Sequence, residues 1–365
     1  MTTHVDVAVI GGGQAGLATS YELSRRGLEH VVLDAAPEPG HAWRSRWDSL
    51  RLFTPAWFSG LPGMPFPGDP GTHPSKDQVA DYLAGYAARF ALPVRHGIEV
   101  TSVRRAGDAF RVETATGAVR AAHVVVATGA FQRPVVPALA AGAAADVVQV
   151  HTAAYRRPSD LPAGTVLVVG GGNSGLQVAV ELAGNRRRVV VAEGTRATHL
   201  PQRLLGRDVF RWLDTAGAFD VTPGSRRGRR MRGTQLVIGT SRRSLRQAGV
   251  ERRPRLVRLD GTRAAFADGT AVEVDAVVWA TGFRTDHAFV DVDGALDEHG
   301  AVRQHAGAGA VAGLWTVGLP WQSSRGSALL GRVGRDAAAV ADRIAGSAAP
   351  GTAATTATRQ RALAG

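Results

Sequence analysis

The sequence predicts an α/β protein built from two Rossmann-like dinucleotide-binding domains, the second inserted into the first. A stretch of 28 residues occurs twice, at 7–34 and 166–193, with eleven identical positions and no gap. Each copy is followed by an apolar strand that ends in Ala-Thr-Gly. The chain of 365 residues is long enough for two packed domains. With 44% hydrophobic and 20% charged residues, its composition is that of a globular protein and not of a disordered one. It has no cysteine, which excludes a disulfide framework, thiolate metal sites, iron–sulfur clusters and a Cys-x-x-Cys redox centre. Its eleven histidines show no ligand spacing, so no metal is expected.

The first element is a strand that begins at Val5 and continues through Val7-Ala-Val-Ile10. It reaches a glycine turn at Gly11, which leaves no room for a signal peptide. No apolar run is long enough to span a bilayer. A cytoplasmic location without a membrane partner is therefore expected. The turn places Gly11, Gly13 and Gly16 in a G-x-G-x-x-G spacing, with Gln14 and Ala15 opening an amphipathic helix. The first glycine makes the tight turn, the second lets a pyrophosphate approach the backbone, and the third lets helix and strand pack closely. The pyrophosphate then meets the positive end of the helix. A second strand ends at Asp34, placed to accept hydrogen bonds from the adenosine ribose.

Next comes an irregular stretch, 43–66, rich in aromatic residues (Trp43, Trp47, Phe53, Trp57, Phe58, Phe66) and interrupted by prolines, which reads as a loop over the core. Short hairpin-like strands with a turn near Thr116-Gly117 lead to Val124-Val-Val-Ala-Thr-Gly129. Ala127, Thr128 and Gly129 at its end, with Val100 before it and Gly318 near the C-terminus, are counted with the first dinucleotide.

The second copy repeats the design. Gly170, Gly172 and Gly175 form the turn, Asn173 and Ser174 open the helix, and Glu193 is the acid. The distance from first glycine to acid is 23 residues in both copies. Units that bind nothing would not need glycine at all three places and an acid in both. Turns near Asp260-Gly261 and Asp268-Gly269 lead to the strand that closes with Thr281 and Gly282. Two dinucleotides in one chain suggest electron transfer between them, most economically FAD in the first site and a nicotinamide coenzyme in the second. The FAD domain is then 1–157 with 283–345, and the NAD(P)H domain 158–282. Gly318-Leu-Pro-Trp-Gln-Ser-Ser-Arg-Gly-Ser327 precedes a last helix over about 328–344, whose N-terminus would face the flavin ring. The tail, 346–365, lacks an apolar face and is expected to be disordered.

The net charge of +12 is concentrated: twelve arginines lie between 224 and 258 against the single acid Glu251. No nucleic-acid-binding motif and no aromatic residue accompanies them, so a solvated face is expected, with no nucleic-acid partner. Glu193 suits a free ribose 2′-hydroxyl and repels a 2′-phosphate, so NADH should be accepted. Arg196 would compensate for NADPH if its loop folds back.

The sequence resembles the flavin-containing monooxygenases, or class B flavoprotein monooxygenases, above all the short bacterial members and the plant auxin-forming enzymes. The resemblance reaches to about residue 344. It rests on the two glycine motifs, the two Ala-Thr-Gly strands, Trp43-Arg-Ser-Arg-Trp-Asp-Ser-Leu-Arg-Leu-Phe-Thr-Pro55, Leu200-Pro-Gln-Arg-Leu-Leu-Gly206 and Arg325-Gly-Ser327. Of the family signature Phe-x-Gly-x-x-x-His-x-x-x-(Tyr/Phe/Trp), His151 and Tyr155 match the second half, while Ala145 and Val147 stand at its Phe and Gly positions. The resemblance implies hydride transfer from NADPH or NADH to FAD, formation of a C4a-(hydro)peroxyflavin with O2, and oxygenation of a small sulfide, amine or carbonyl compound. It also implies a site kept dry.

His151 and Tyr155 would fix the interdomain linker near the nicotinamide, the alternative being a structural histidine. Trp43 would lie against the flavin, with Trp57 or Phe58 near the substrate. Arg325 would stabilise negative charge on the reduced ring, or make a surface salt bridge. The partners are then a small-molecule substrate and O2, with a homodimer as the assembly considered. Two other functions fit the same residues: a cysteine-free NAD(P)H-dependent flavin reductase or oxidase, and a non-catalytic binding protein that uses the arginine-rich face.

Overall fold

The computed structural model describes residues 2–194 and 197–347. Val7, Ala8 and Val9 are fully buried, and so are their counterparts Val166, Leu167 and Val168. Strands apolar on both faces belong in parallel sheets covered on two sides. Two such sheets form. The first has nine strands, in the order Gln304–His305, Ala308–Gly309, Leu314–Thr316, Gly117–Val126, Thr2–Ile10, His30–Asp34 and Val94–His96, with Val100–Ala106 and Ala109–Thr114 forming an antiparallel meander on Gly117–Val126. The second has five parallel strands in the order Glu251–Arg253, Arg188–Ala192, Thr165–Val169, Ala276–Trp279 and Val148–His151.

The sequence duplication is also a duplication of strand order. In both sheets the Ala-Thr-Gly strand, the glycine strand, the acid strand and a fourth strand lie side by side. Ile10 faces Leu33 and Val126, and Val169 faces Ala192 and Trp279. The glycine turn, the acid and the Ala-Thr-Gly turn therefore leave one carboxyl edge in each sheet, where open parallel sheets bind ligands. Val148–His151 joins the second sheet although it precedes position 158, because the buried strand Ala276–Trp279 needs a hydrogen-bond partner on its far side.

The two cradle helices, Gln14–Ser24 and Asn173–Gly184, follow the glycine turns. The helix Lys76–Arg89 starts in a capping box formed by Ser75 and Gln78. The last helix is Val333–Ser347. It begins later than the expected 328 because the chain before it is committed to turns: the Ser327 hydroxyl accepts from the amides of Ser323 and Ser324, and Gly331 is pressed on the Phe58 carbonyl. This helix packs on the first cradle helix, with Arg26 bonded to Asp342 at 2.7 Å. Residues 346 and 347 belong to it, and the rest of the tail expected to be disordered lies outside the described residues. One core cluster runs through both sheets, from Val7, Leu17 and Val125 to Val166, Leu176 and Val278.

Residues 197–249 make an excursion from the second sheet. Ala197–Leu200 pairs with Gln235–Ile238, and between them lie a hairpin at 203–208 and the helices Val209–Thr215 and Arg226–Arg232. The excursion meets the aromatic segment through a cluster in which Phe58 lies 5.1 Å from Phe210 and 4.8 Å from Phe219, centroid to centroid.

Candidate active site

In the first cradle, Gly11 adopts φ +104°, and a Cβ there would lie 2.8 Å from the Ala127 carbonyl oxygen. A Cβ on Gly16 would collide with the Gly11 carbonyl, which is the close packing expected of the third glycine. In front of Gly13 there is open space. Gly13 is the N-cap, no side chain caps the helix, and no acid stands in its first turn. The amide end is therefore bare, a ready site for an anion. Asp34 stands at the end of its strand, 3.5 Å from His96 Nδ1 on the fourth strand. Ala15 is buried against Gly318, and the Gln14 amide donates to the Ala328 carbonyl at 3.0 Å, so the C-terminal loop closes on the helix start. Thr128 Oγ1 accepts from the Gln132 side chain, and Gly129 follows at φ +73°. Val100 begins the meander opposite Thr114 and packs on the core that contains Ile10 and Leu33. Trp43 sits half-buried on the short helix His41–Arg44.

The second cradle repeats these contacts. Gly170 adopts φ +126° against the Ala280 carbonyl, and a Cβ on Gly175 would strike the Gly170 carbonyl. Gly172 is the N-cap of another helix start without a side-chain cap or an acid. Two features differ from expectation. The Asn173 side chain is already engaged: it donates to the Leu236 carbonyl and accepts from the Ile238 amide, both at 3.0 Å, so it holds the excursion while its backbone stays with the cradle. Glu193 is bound by both arms of Arg252, at 2.7 and 2.5 Å, and beside it Arg255 donates to the Gly194 carbonyl at 3.2 Å. Ser174 is exposed beside the turn. Thr281 Oγ1 donates to the Val135 carbonyl. Arg196 lies outside the described residues.

His151 ends its strand at the edge of the second cradle. Its Nε2 donates to the Gly282 carbonyl at 3.0 Å and its Nδ1 accepts from the Ala153 amide at 3.1 Å, so both ring nitrogens are occupied. Burial pushes the imidazole below its ordinary pKa, and the positive charge of Arg46 adds to the effect. The Tyr155 amide donates to the His151 carbonyl, and its buried hydroxyl donates to Glu181 on the second cradle helix at 2.9 Å. Burial and Glu181 raise the phenol pKa well above its usual value. Arg325 lies in the C-terminal loop, its amide bonded to the Val221 carbonyl. Burial lowers its pKa, and Arg227 does so further.

Residues 8–204 match the family described as Pyridine nucleotide-disulphide oxidoreductase. Over 335 residues the chain is 42% identical to an uncharacterized CzcO-like oxidoreductase of Geobacillus kaustophilus, covering 91% of this chain and 96% of that protein. The chain belongs to this oxidoreductase family. A flavin-containing monooxygenase from Stenotrophomonas maltophilia has the same fold, with a TM-score of 0.80 at 31% identity, covering 94% of this chain and 99% of that one. The probable indole-3-pyruvate monooxygenase YUCCA4 of Arabidopsis thaliana is 29% identical over 310 residues, covering 76% of this chain and 75% of that protein. The oxidoreductase is thus of the flavin monooxygenase type, and its family implies a flavin and a nicotinamide cofactor. The disulfide chemistry in the family's description finds no cysteine here.

The residues present fit two dinucleotides, judging from the bare helix starts and the open space at Gly13. The buried Trp47 indole N–H has no hydrogen-bond partner among the described residues. Sequence reasoning missed the middle glycine of each turn. A Cβ on Gly12 would lie 2.6 Å from an Asp34 carboxylate oxygen, and one on Gly171 would lie 2.9 Å from the Glu193 side chain. The signal was the third consecutive glycine in both copies, which the G-x-G-x-x-G spacing treats as free. Arg252 was also missed, because among twelve arginines nothing local marks the one that meets the acid. Phe58, expected with Trp57 as the residue near a substrate, packs in the aromatic cluster, and Trp57 lies against the same cluster.

Proposed function

We propose that the oxidoreductase is a monooxygenase that holds FAD in the first cradle and NADPH or NADH in the second, and oxygenates a small sulfide, amine or carbonyl compound with O2. The observation that carries this reading is the repeated cradle: two bare helix starts, each with a glycine turn and an acid on one sheet edge. The 31% identity to a flavin-containing monooxygenase supports it, as does the likeness to an indole-3-pyruvate monooxygenase. The partition follows the sequence, 1–157 with 283–345 for FAD and 158–282 for the nicotinamide coenzyme.

Bound flavin would supply hydride acceptance and oxygen activation. The chain supplies the rest. Gly11, Gly13, Gln14, Ala15 and Gly16 receive the flavin diphosphate, Asp34 its ribose, and Ala127, Thr128, Gly129, Val100, Trp43 and Gly318 enclose it. Gly170, Gly172, Asn173, Ser174 and Gly175 do the same for the coenzyme, with Glu193 and Arg196 at the adenosine ribose and Thr281 and Gly282 at the strand end. His151 and Tyr155 act by position: the bonds of His151 to Gly282 and of Tyr155 to Glu181 fix the linker on the second cradle. Arg325, half-buried and cationic, faces developing negative charge.

The test is anaerobic reduction by NADPH or NADH, followed by mixing with O2. Delayed reoxidation, with oxygenated product from a sulfide, an amine, a ketone or an α-keto acid, supports the reading. Immediate reoxidation with stoichiometric peroxide and no product from any of them replaces it with a flavin reductase or oxidase.

A further inference from the structure

The hairpin at 203–208 holds a strained backbone that exposes an apolar side chain. Arg203–Leu204 and Arg207–Asp208 pair antiparallel, with Leu204 opposite Arg207. The two residues between them, Leu205 and Gly206, both have positive φ, +51° and +75°. A two-residue turn of this hand favours Asn-Gly or Gly-Gly, and leucine is disfavoured there. Packing does not compensate, because Leu205 is 82% exposed and Leu204 44%. Trp212, 38% exposed, joins the same tip through its indole N–H, which donates to the Leu204 carbonyl at 3.0 Å.

Three exposed arginines lie beside this apolar tip, on the cleft that the hairpin forms with Trp57 and His73. Arg203 bonds the Gly206 carbonyl, Arg207 lies over the Trp212 ring, and Arg211 lies over the Trp57 ring at 4.1 Å. The only acid of the hairpin, Asp208, is turned elsewhere: it accepts from His73 at 3.0 Å, from Gln202 at 2.9 Å and from the Phe210 amide at 2.8 Å. An apolar point flanked by cations that have no ion-pair partner among the described residues matches a surface that is apolar beneath and anionic above.

We propose that this tip docks on an anionic membrane surface, with Leu204, Leu205 and Trp212 entering the headgroup boundary and Arg203, Arg207 and Arg211 meeting lipid phosphates. A second copy of the chain fits less well, since a twofold contact through the tip sets the same three arginines against one another. Two leucines and an indole are also far short of the roughly 800 Å² per partner of a stable protein interface. The sequence expectation of no membrane partner came from the lack of a spanning run, which a surface-docking element does not need. A cleft of about 720 Å³ opens at the foot of the hairpin, between it and Trp57 and His73, so docking would turn this cleft toward the lipid.

The experiment is co-sedimentation of the purified full chain with vesicles of phosphatidylcholine alone or mixed with phosphatidylglycerol, at low and high salt. The tip predicts retention on the anionic vesicles only, weakening with salt. Replacing all three cations (Arg203→Gln, Arg207→Gln, Arg211→Gln) should lower partitioning about 100-fold. Leu205→Asn is the decisive variant: it relieves the turn and should raise the melting temperature while lowering partitioning at least about tenfold, with NADPH oxidation unchanged. A merely structural role would not move stability and docking in opposite directions. Absence of vesicle binding overturns the proposal, and so does equal binding to neutral vesicles. So does unchanged binding by Leu205→Asn, which would reduce the effect to attraction by a +12 chain. Dimerisation or polyglutamate binding through the tip in place of vesicle binding would likewise assign it to a protein partner and overturn the proposal.

Discussion

A methyl group at Gly12 or Gly171 would collide with the acid that its cradle presents, whereas one at Gly16 or Gly175 would collide with backbone. The difference predicts graded effects. Gly12→Ala should yield folded protein with weakened flavin retention, because the contact falls on the Asp34 side chain, whose Cβ as well as carboxylate must shift to admit the methyl group. Gly16→Ala, facing a carbonyl that cannot move without the strand, should destabilise by about 2 kcal/mol or more and lose the flavin. Flavin absorbance per chain and thermal unfolding check both. Arg252 leads to a second prediction at this scale. Its fork occupies the Glu193 carboxylate that would otherwise favour a ribose hydroxyl. Arg252→Ala should release that acid and lower the ratio of kcat/KM for NADPH over NADH about tenfold, and an unchanged ratio would remove Arg252 from coenzyme selection. The acids and outer glycines were legible in the sequence because their spacing is local. Arg252 was not, because it reaches Glu193 only through the pairing of Arg188–Ala192 with Glu251–Arg253.

Among the elements, the buried parallel strands were the most legible, since runs such as Val166-Leu-Val-Val169 leave little alternative. The start of the last helix was less so. Nothing in the sequence between 328 and 332 forbids a helix; the serine turn and the approach of Gly331 to Phe58 do, and both are tertiary. In the excursion, one side chain outside it makes several of the contacts that tie it to the aromatic segment. Arg332 is paired with Asp214, lies 3.8 Å from Asp220, and stacks over the rings of Phe58 and Phe219. Arg332→Ala should therefore leave Asp214 unpaired, loosen the aromatic cluster and cost about 2–3 kcal/mol. Limited trypsin digestion reads this directly, because cleavage within the arginine-rich helix Arg226–Arg232 would become faster. Equal digestion rates for wild type and variant would show that the clamp is not what holds the excursion.

For the whole molecule, burial sets the response to acid. His30, His123, His151 and His287 all have pKa values lowered first by burial, His287 from 6.5 to about 4. A histidine whose folded pKa is depressed binds its proton more readily when unfolded, so its contribution is complete above about pH 6.5 and is lost as pH falls toward the folded value. His287, fully buried, contributes at most about 3 kcal/mol to this loss. Stability by denaturant titration should thus decline between about pH 6.5 and 4. His287→Asn should flatten that slope, and an unaltered slope would assign it to other groups. The largest claim, that one chain carries two dinucleotide cradles which exchange electrons, rests on the repeated geometry of Gly11 with Asp34 and of Gly170 with Glu193. It is tested most directly by incubating the purified protein with excess FAD, removing the unbound cofactor, and adding NADPH or NADH without oxygen. The protein should stay yellow with about one flavin per chain and bleach on addition of a coenzyme; a colourless protein, or a bound flavin that neither coenzyme reduces, would contradict the account.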